Sequence, residues 1–262
     1  MNLQQVLKNE KSLCLIHDDV LRGMAQIPYA SIDFIVSSPP YNVGIEYDNF
    51  DDSVTHDEYL LWHRKVLQEC FRVLRSDGRL AWQTGASRAN GKYFPLNSWV
   101  AMTCSDVGFR QRCEIVWSKQ QISARTAWGS WNSPSNNNIL PSYEYIELFH
   151  KSEPTLQRTG EMDLTKEEFI EWTNGLWTIK PETRSEHPAP FPIELVTRLI
   201  KMNTYIGDIV LDPFCGSGTA AVAAINLGRR FIGIDQSEKY IQMTTERLEK
   251  HTNINISKQD YF

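Results

Sequence analysis

The sequence lacks several features that would assign it to a familiar class of protein. None of its apolar runs reaches the roughly 20 residues needed to cross a bilayer. Its N-terminal segment has no basic stretch followed by an apolar one, the pattern of a signal peptide. The five cysteines are odd in number and form no Cys-x-x-Cys pair, which argues against a disulfide framework and a zinc site. We therefore expect a cytoplasmic protein with reduced thiols.

What is present is the composition of an ordinary folded protein. Hydrophobic residues make up 41% and charged residues 23% of the 262-residue chain, which excludes a disordered polyelectrolyte. This length is sufficient to bury a sizeable core. The net charge of −5 argues against a large nonspecific surface for polyanions. A local basic patch remains open, because Arg110, Arg112, Lys119 and Arg125 fall close together.

Short apolar runs alternate with segments of helical periodicity along most of the chain. This alternation predicts an α/β fold whose mostly parallel sheet is covered by helices on both faces. Asp77-Gly78 predicts a turn, and the polar segment 120–142 is long for a loop without a function. The predicted strands are 13–17, 32–36, 79–83, 114–117, 143–149, 209–211 and 231–234, and the predicted helices 58–74, 97–107, 192–202, 217–227 and 237–250.

A glycine-rich turn, DPFCGSGT from Asp212 to Thr219, follows one buried strand and opens a helix. Glycines allow a tight turn and close approach of a ligand, and a helix N-terminus offers free N–H groups. The next strand ends in Asp235, where α/β nucleotide sites hold ribose hydroxyls. Gly-x-Gly alone could be a plain strand–turn–helix, but the flanking acids favour a nucleoside-bearing ligand. The glycine spacing fits neither a Walker loop nor an NAD-dependent oxidoreductase.

The strand at 32–36 ends in the unusual stretch SSPPYN. Prolines fix φ near −65° and therefore hold the neighbouring carbonyls in place, and Tyr41 offers a flat face for stacking. A Pro-Pro turn on its own is more often structural. Beside a ligand-binding turn at the carboxyl ends of the strands, the pattern is typical of a catalytic loop.

Four motifs together resemble the amino-directed DNA methyltransferases. DPFCGSGT with the downstream FIGID is similar to their S-adenosylmethionine-binding motif, and SSPPYN is similar to their catalytic motif. HPAPFP, from His187, resembles the segment that closes over the methionine end of the cofactor. HDDVLRGM resembles a motif whose acid, here Asp19, lies near the adenine, although Asp18 stands where the family usually has glycine. The catalytic motif precedes the cofactor motif, as in the β group.

The resemblance implies one catalytic domain over 1–262 with a Rossmann-like methyltransferase fold. That fold is a doubly wound, mostly parallel, seven-stranded sheet, circularly permuted, with an antiparallel hairpin at one edge. Because the chain ends after a strand–helix unit, we expect strand 13–17 to lie beside 231–234. The resemblance also implies double-stranded DNA as substrate and a restriction–modification system with a cognate restriction endonuclease. It leaves a homodimer open.

The site residues follow from the same resemblance. Ser38 Oγ and the Pro39 carbonyl would accept the hydrogens of a base amino group, while Tyr41 stacks on the flipped base. No metal is needed, and Cys14 and Cys215 are interpreted as buried structural thiols. The catalytic set is Ser38, Pro39, Pro40 and Tyr41, and the cofactor set is Asp19, His187, Pro188, Phe191, Pro192, Asp212, Pro213, Phe214, Cys215, Gly216, Ser217, Gly218, Thr219 and Asp235.

The first residue of the catalytic tetrad bears on the target base. Family members with serine there mostly resemble cytosine-N4 enzymes, and those with aspartate mostly adenine-N6 enzymes. Ser38 therefore predicts methylation of cytosine N4. The alternatives are an adenine-N6 methyltransferase and a non-catalytic module that binds S-adenosylmethionine and DNA.

Two segments, 120–142 and 152–186, are candidates for reading the DNA sequence. Their polar and aromatic residues could contact base edges or fill the gap left by a flipped base. A solvated loop rich in asparagine and serine is the alternative. The DNA-binding candidates are Arg88, Lys92, Lys119 and Arg125 for phosphates, Trp128 and Trp131 for stacking, and Asn132 for base edges.

Overall fold

A computed structural model describes residues 2–42, 48, 54–85, 87–89, 92–119, 133–137, 141–182 and 191–252 of the chain. None of the helices in these ranges is both long and apolar enough to span a membrane. The elements are α1 (Asn2–Leu7), β1 (Leu13–His17), α2 (Val20–Ala25), β2 (Ile32–Ser37), α3 (His56–Val73), β3 (Leu74–Thr84), β4 (Ser87–Ala89), β5 (Lys92–Phe94), α4 (Leu96–Val107), β6 (Arg110–Ser118), β7 (Tyr143–His150), α5 (Lys166–Trp172), β8 (Leu176–Thr178), α6 (Ile193–Asn203), β9 (Ile209–Asp212), α7 (Thr219–Asn226), β10 (Arg230–Asp235) and α8 (Glu238–His251).

The main sheet has eight strands in the order β1-β10-β9-β2-β3-β7-β6-β8. The first five are parallel to one another, and β7 pairs antiparallel with both β3 and β6. The expected α/β fold with an antiparallel hairpin is confirmed, and β1 lies beside β10 as the sequence predicts. The prediction of seven strands missed β8, a three-residue strand that pairs with the outer side of β6. An element this short carries no periodicity of its own.

Helices cover both faces of the sheet because the strands are apolar on both sides. One apolar cluster includes Phe34 and Val36 of β2 and packs under α6, α7 and α8. The other includes Ile32 and Ile35 of the same strand and packs under α1, α2, α3 and α4. Because successive side chains of such a strand point into two apolar layers, its sequence is a continuous hydrophobic run, as in other parallel sheets covered on both faces.

The turn predicted at Asp77-Gly78 is instead part of β3. The pairing between β2 and β3 jumps from Ile32–Leu74 to Phe34–Arg79, so the intervening residues form a bulge within the strand. A side chain at Gly78 would lie 2.9 Å from Leu74, which explains the glycine. The bulge brings Asp77 to the edge of the sheet where the parallel strands begin.

The parallel strands define the two edges used below. We call the edge where β1, β10, β9, β2 and β3 end the carboxyl edge, and the opposite one the amino edge. The helices α3, α6 and α7 each precede or follow one of these strands through a short connection, so each begins at the carboxyl edge. A capping box between Thr55 and Glu58 fixes the start of α3 there.

Candidate active site

The carboxyl edge brings together the motifs that lie far apart in the sequence. Strands β1, β10, β9 and β2 are consecutive in the sheet, and they deliver Asp19, Asp235, Asp212 and the Ser38–Tyr41 segment to the same edge. Open α/β sheets bind ligands at this position. The arrangement therefore forms a candidate active site.

The glycine-rich turn between β9 and α7 is shaped by hydrogen bonds to an acid on the next strand. Asp235 accepts the backbone N–H of Gly216 at 2.8 Å and that of Ser237 at 2.9 Å. Gly218 has φ +77°, and a side chain there would lie 2.6 Å from Thr244. Only glycine fits this position. The turn is thus preorganised, with Asp235 half-exposed beside it.

Asp212 links the glycine-rich turn to β2, the strand that precedes Ser38–Tyr41. Its carboxylate accepts the Ser37 hydroxyl at 2.5 Å and the Phe214 backbone N–H at 3.0 Å. The pKa of Asp212 is raised to about 7, because burial, with a contribution from the nearby Asp235, outweighs these two hydrogen bonds. The sequence reasoning missed Ser37, although its place at the last position of β2 was a usable signal.

The electrostatics of the two acids fit a positively charged ligand. Among the residues described, no lysine or arginine pairs with Asp212, and burial also raises the pKa of Asp235. A cationic group would offset the cost of keeping these carboxylates ionised. Within the same residues, no cluster of three or more His, Cys, Asp or Glu side chains could hold a metal ion.

The segment Ser38–Tyr41 leaves β2 beside the end of β3. Ser38 Oγ lies 3.4 Å from the Tyr41 hydroxyl, at the long limit of a hydrogen bond. The Tyr41 ring lies over Gly85, where a Cβ would come within 2.9 Å of it. Pro39 is buried, while Ser38, Pro40 and Tyr41 are half-buried. The exposed portions can therefore be reached from outside the edge.

A buried chain of hydrogen bonds supports this segment from behind. The Tyr59 hydroxyl donates to the Pro40 carbonyl at 2.9 Å, His63 Nδ1 lies 3.0 Å from that hydroxyl, and the Trp82 indole N–H donates to His63 Nε2 at 2.9 Å. The sequence placed Tyr59 only within the predicted helix 58–74. A histidine four residues later on the same helix face was the available signal.

Aromatic contacts connect the glycine-rich turn to helix α3. The Phe214 ring lies 5.6 Å from that of Trp62 and 6.0 Å from that of Trp82, measured between centroids. Such tilted and edge-on arrangements are favourable for aromatic pairs. Helix α3 therefore contacts both predicted motifs.

The remaining cofactor candidates lie at the same edge or outside the described residues. Phe191 is buried in the core and Pro192 starts α6, whereas His187 and Pro188 fall in the part that is not described. Asp19 caps α2 by accepting from two backbone N–H groups, and Asp18 binds Arg22.

Inside the turn, the side chains are held by the layer beneath. Cys215 is buried against Gly233, where a side chain would lie 2.8 Å from its sulfur. Thr219 Oγ1 accepts from Arg247 at 2.8 Å, and Pro213 and Ser217 are buried. Cys14 is buried as well. The interpretation of Cys14 and Cys215 as buried thiols is confirmed, and burial raises the pKa of the Cys215 thiol.

The predicted DNA contacts can be placed only in part. Lys119 forms an ion pair with Glu144, which also accepts from Gln83. Arg88 and Lys92 lie on the β4–β5 hairpin, but their side chains fall outside the description. Arg125, Trp128, Trp131 and Asn132 fall outside it entirely. The backbone N–H of Lys119 donates to the Ser142 carbonyl at 2.9 Å. The residues on either side of the segment 120–141 therefore lie together at the carboxyl edge.

The second candidate recognition segment, 152–186, runs from one edge of the sheet to the other. Its first part is fixed at the amino edge, because Arg158 binds Asp77 and Asp208 there and Asp163 binds Arg229. Its later part follows β8, which is parallel to β6 and therefore leads to the carboxyl edge. The described residues that follow β8, 179–182, therefore continue toward the carboxyl edge.

Several known proteins are similar to this chain. A family model described as DNA methylase matches residues 32–246. The type II methyltransferase M.MjaVI of Methanocaldococcus jannaschii is 42% identical over 174 residues, covering 66% of this chain and 89% of that protein. The DNA adenine methyltransferase YhdJ of Escherichia coli is 29% identical over 255 residues, covering 90% and 82%. The structure of TTHA0409 from Thermus thermophilus, complexed with S-adenosyl-L-methionine, matches with a TM-score of 0.75 and 31% identity, covering 92% of this chain and 95% of that one.

Proposed function

Since the chain belongs to the N6/N4 family of DNA methylases, we propose that it is a sequence-specific enzyme that methylates the N4 amino group of cytosine in duplex DNA. S-adenosyl-L-methionine is the methyl donor. The observation that carries the proposal is the hydrogen bond from Ser37 to Asp212, which joins the catalytic strand to the cofactor turn. The two motifs thereby face a common space at the carboxyl edge.

The residues at that edge suit the activation of an exocyclic amino group. The nitrogen lone pair is delocalised into the base, and it becomes available when acceptors hold the amino hydrogens out of the ring plane. Ser38 Oγ and the Pro39 carbonyl are acceptors on a segment stiffened by two prolines. Preorganised acceptors of this kind stabilise the positive charge that develops on the nitrogen. The Tyr41 ring offers a face for the base, which must leave the duplex to reach it.

The cofactor set defined above would hold the donor. When bound, S-adenosyl-L-methionine supplies a methyl group on a positively charged sulfur, which an amine can attack directly. The buried Asp212 and the half-exposed Asp235 would favour a cationic ligand. Phe191 and Pro192, at the start of α6, would bound the same space. Asp19 would lie at its far side, because it follows β1, the strand next to β10.

The target base follows from Ser38. An uncharged acceptor at this position resembles the cytosine-N4 enzymes, and this supports N4. The 29% identity to a protein named as a DNA adenine methyltransferase supports the alternative, adenine N6, because the activation chemistry is the same for both amino groups.

Recognition of the DNA sequence belongs to the segment 120–142 in this proposal. Its two ends meet at the carboxyl edge through the Lys119–Ser142 hydrogen bond, beside the Ser38–Tyr41 segment. The first half of 152–186 is fixed at the other edge and is a weaker candidate. We also propose β-group membership, a circularly permuted fold and a restriction–modification context with a partner endonuclease. A homodimer would be compatible with it.

Nucleoside mass spectrometry tests this function. The protein is incubated with S-adenosyl-L-methionine and unmethylated DNA of mixed sequence, and the digested DNA is searched for methylated bases. N4-methylcytosine is the expected product. N6-methyladenine would show that the target base is adenine instead of cytosine and would leave the proposed activation of the amino group unchanged. No methylated base, despite measured cofactor binding, would contradict the catalytic proposal and favour a binding module.

A further inference from the structure

We propose that Tyr59, His63 and Trp82 are positioning residues that hold the Pro39–Tyr41 segment in the shape that receives the target base. The inference rests on the proposed function, because it assigns a role to residues behind the same site. None of the three faces the space at the carboxyl edge, since their exposures are 1%, 0% and 0%. They act through the Pro40 carbonyl.

The chemistry of the groups fixes the direction of every hydrogen bond in the chain. A Trp82 indole N–H can only donate, so His63 Nε2 must accept and His63 must carry its proton on Nδ1. The Nδ1–H group of His63 therefore donates a hydrogen bond to the Tyr59 hydroxyl oxygen. A carbonyl can only accept, so the Tyr59 hydrogen goes to Pro40. The network has one arrangement of protons, which makes it a rigid connection.

His63 is kept in the required form by its surroundings. Burial lowers the pKa of His63 to about 3, so that it stays neutral at physiological pH. The rings of Trp82 and Trp99 lie 5.6 and 5.4 Å from the imidazole. Both ring nitrogens of His63 have partners in the network. An apolar residue would pack in this aromatic layer without needing any partner, so packing alone does not explain the histidine.

The hydrogen-bond network contacts the catalytic strand β2 at one end and the segment that follows it at the other. Trp82 pairs with Ser37 in the β2–β3 ladder, and Ser37 directly precedes the catalytic segment. The network therefore begins at Trp82, beside Ser37, and ends at the carbonyl of Pro40 within the segment. Phe214 of the cofactor turn packs on the same Trp82 ring. A displacement in this network would shift the Pro40–Tyr41 peptide relative to the cofactor turn.

The first test replaces Tyr59 by phenylalanine, which removes one oxygen and keeps the ring. We expect the single-turnover rate of methyl transfer to fall about 10- to 100-fold, because a small misplacement of a reacting pair is costly. The KM for DNA and the Kd for S-adenosyl-L-methionine should change by less than about twofold, since the DNA contacts outside the flipped base and the glycine-rich turn stay in place. The matched control, Tyr29→Phe, makes the same change on an exposed tyrosine before β2 and should leave all three values unaltered.

The second test separates the two hydrogen bonds of His63, one to Tyr59 and one to Trp82. In His63→Asn the amide nitrogen can replace Nδ1 and donate to Tyr59, whereas in His63→Gln the amide oxygen can replace Nε2 and accept from Trp82. Positioning through Tyr59 predicts that His63→Asn retains at least about threefold more of the transfer rate than His63→Gln. This pair decides the question alone if Tyr59→Phe does not yield folded protein.

The outcomes distinguish the inference from the function on which it rests. If the wild-type protein transfers no methyl group to DNA, the proposed function fails. If the wild type is active and Tyr59→Phe lowers only the melting temperature, with the transfer rate of the folded protein unchanged, these residues are structural and the inference is wrong. A rate for His63→Gln equal to or above that of His63→Asn would likewise overturn it.

Discussion

The two edges of the sheet hold buried aspartates in opposite electrostatic settings. At the amino edge, Arg158 donates to Asp77 at 2.9 Å and to Asp208 at 2.6 Å. At the carboxyl edge, Asp212 and Asp235 are bound by a hydroxyl and by backbone N–H groups, with no arginine or lysine paired to Asp212 in the described part of the chain. The same residue type is therefore paired with a cationic side chain at the amino edge, whereas Asp212 at the carboxyl edge has no such partner among the described residues.

The opposite pKa shifts of Asp77 and Asp212 show the difference, although Asp33 at the amino edge does not follow it. Burial alone would raise the pKa of Asp77, but the Gln157 N–H and Arg158 outweigh it, and the pKa is lowered. Burial raises the pKa of Asp212 to about 7. Asp33, deep at the amino edge, also has a raised pKa because burial outweighs its arginine neighbours. A paired edge stabilises the fold, whereas an edge with uncompensated acids is suited to a cationic ligand.

The largest expected effect is on stability at the amino edge. Arg158→Ala removes the shared partner of Asp77 and Asp208, and both of these carboxylates are buried. We expect the free energy of unfolding to fall by about 3 kcal/mol, as when one partner of a buried ion pair is removed. Urea denaturation measures this change.

The control for Arg158→Ala is an exposed ion pair. Arg64 and Asp106 lie 2.9 Å apart with side-chain exposures of 39% and 62%, so Arg64→Ala should cost less than about 0.5 kcal/mol. Calorimetry should show that the Kd for S-adenosyl-L-methionine is the same in both variants as in the wild type. A weakened cofactor affinity in Arg158→Ala would mean that the two edges are not independent.

The next effect in size concerns the base-binding face at the carboxyl edge. Tyr41→Ala removes the ring that we propose stacks on the flipped base, and the rate of methyl transfer should fall about 10- to 100-fold, the range for losing one base–aromatic stack. Cofactor affinity should stay near the wild-type value. Tyr29→Ala, on an exposed tyrosine of the other edge, should be as active as the wild type. Full activity in Tyr41→Ala would exclude the stacking role.

The sequence allowed prediction of whatever depended on local pattern. The position of DPFCGSGT between a strand and a helix could be predicted from apolar runs and glycines, and the pairing of β1 with β10 was expected from the order of the strand–helix units. Ser38–Tyr41 could be placed at the end of β2 in the same way. The positions of the strands and turns need no knowledge of distant contacts, whereas the β1–β10 pairing follows from the order of the elements along the chain.

What could not be predicted depends on contacts between residues far apart in the chain. Arg158 meets partners 50 and 81 positions away, and no local pattern distinguishes it from a solvated arginine. Trp82 reaches His63 across a helix–sheet interface, so the periodicity of α3 showed only that the face is buried. The bulge at Asp77-Gly78 was interpreted as a turn because both use the same residue types.

A smaller effect is expected for the cofactor at the carboxyl edge. Asp212→Asn keeps an oxygen that can accept from Ser37 and Phe214 but removes the negative charge, so the Kd for S-adenosyl-L-methionine should rise about tenfold, equivalent to about 1.4 kcal/mol. The matched variant at the amino edge, Asp208→Asn, should lower the free energy of unfolding and leave this Kd unchanged. Calorimetry should show weakened cofactor binding only in Asp212→Asn. If Asp208→Asn weakened cofactor binding equally, the two edges would not have separate roles.

The smallest effect sharpens the comparison through pH. The pKa of Asp212 is raised to about 7 in the free protein, so below pH 7 the carboxyl is mostly protonated and must release its proton to face a cation. The affinity for S-adenosyl-L-methionine should therefore increase as the pH rises from 6 to 8, by about fivefold, and level off above that. Asp212→Asn has no proton to release, so its affinity should vary much less over this range. An unchanged pH dependence in that variant would show that another group, such as Asp235, carries the linkage instead.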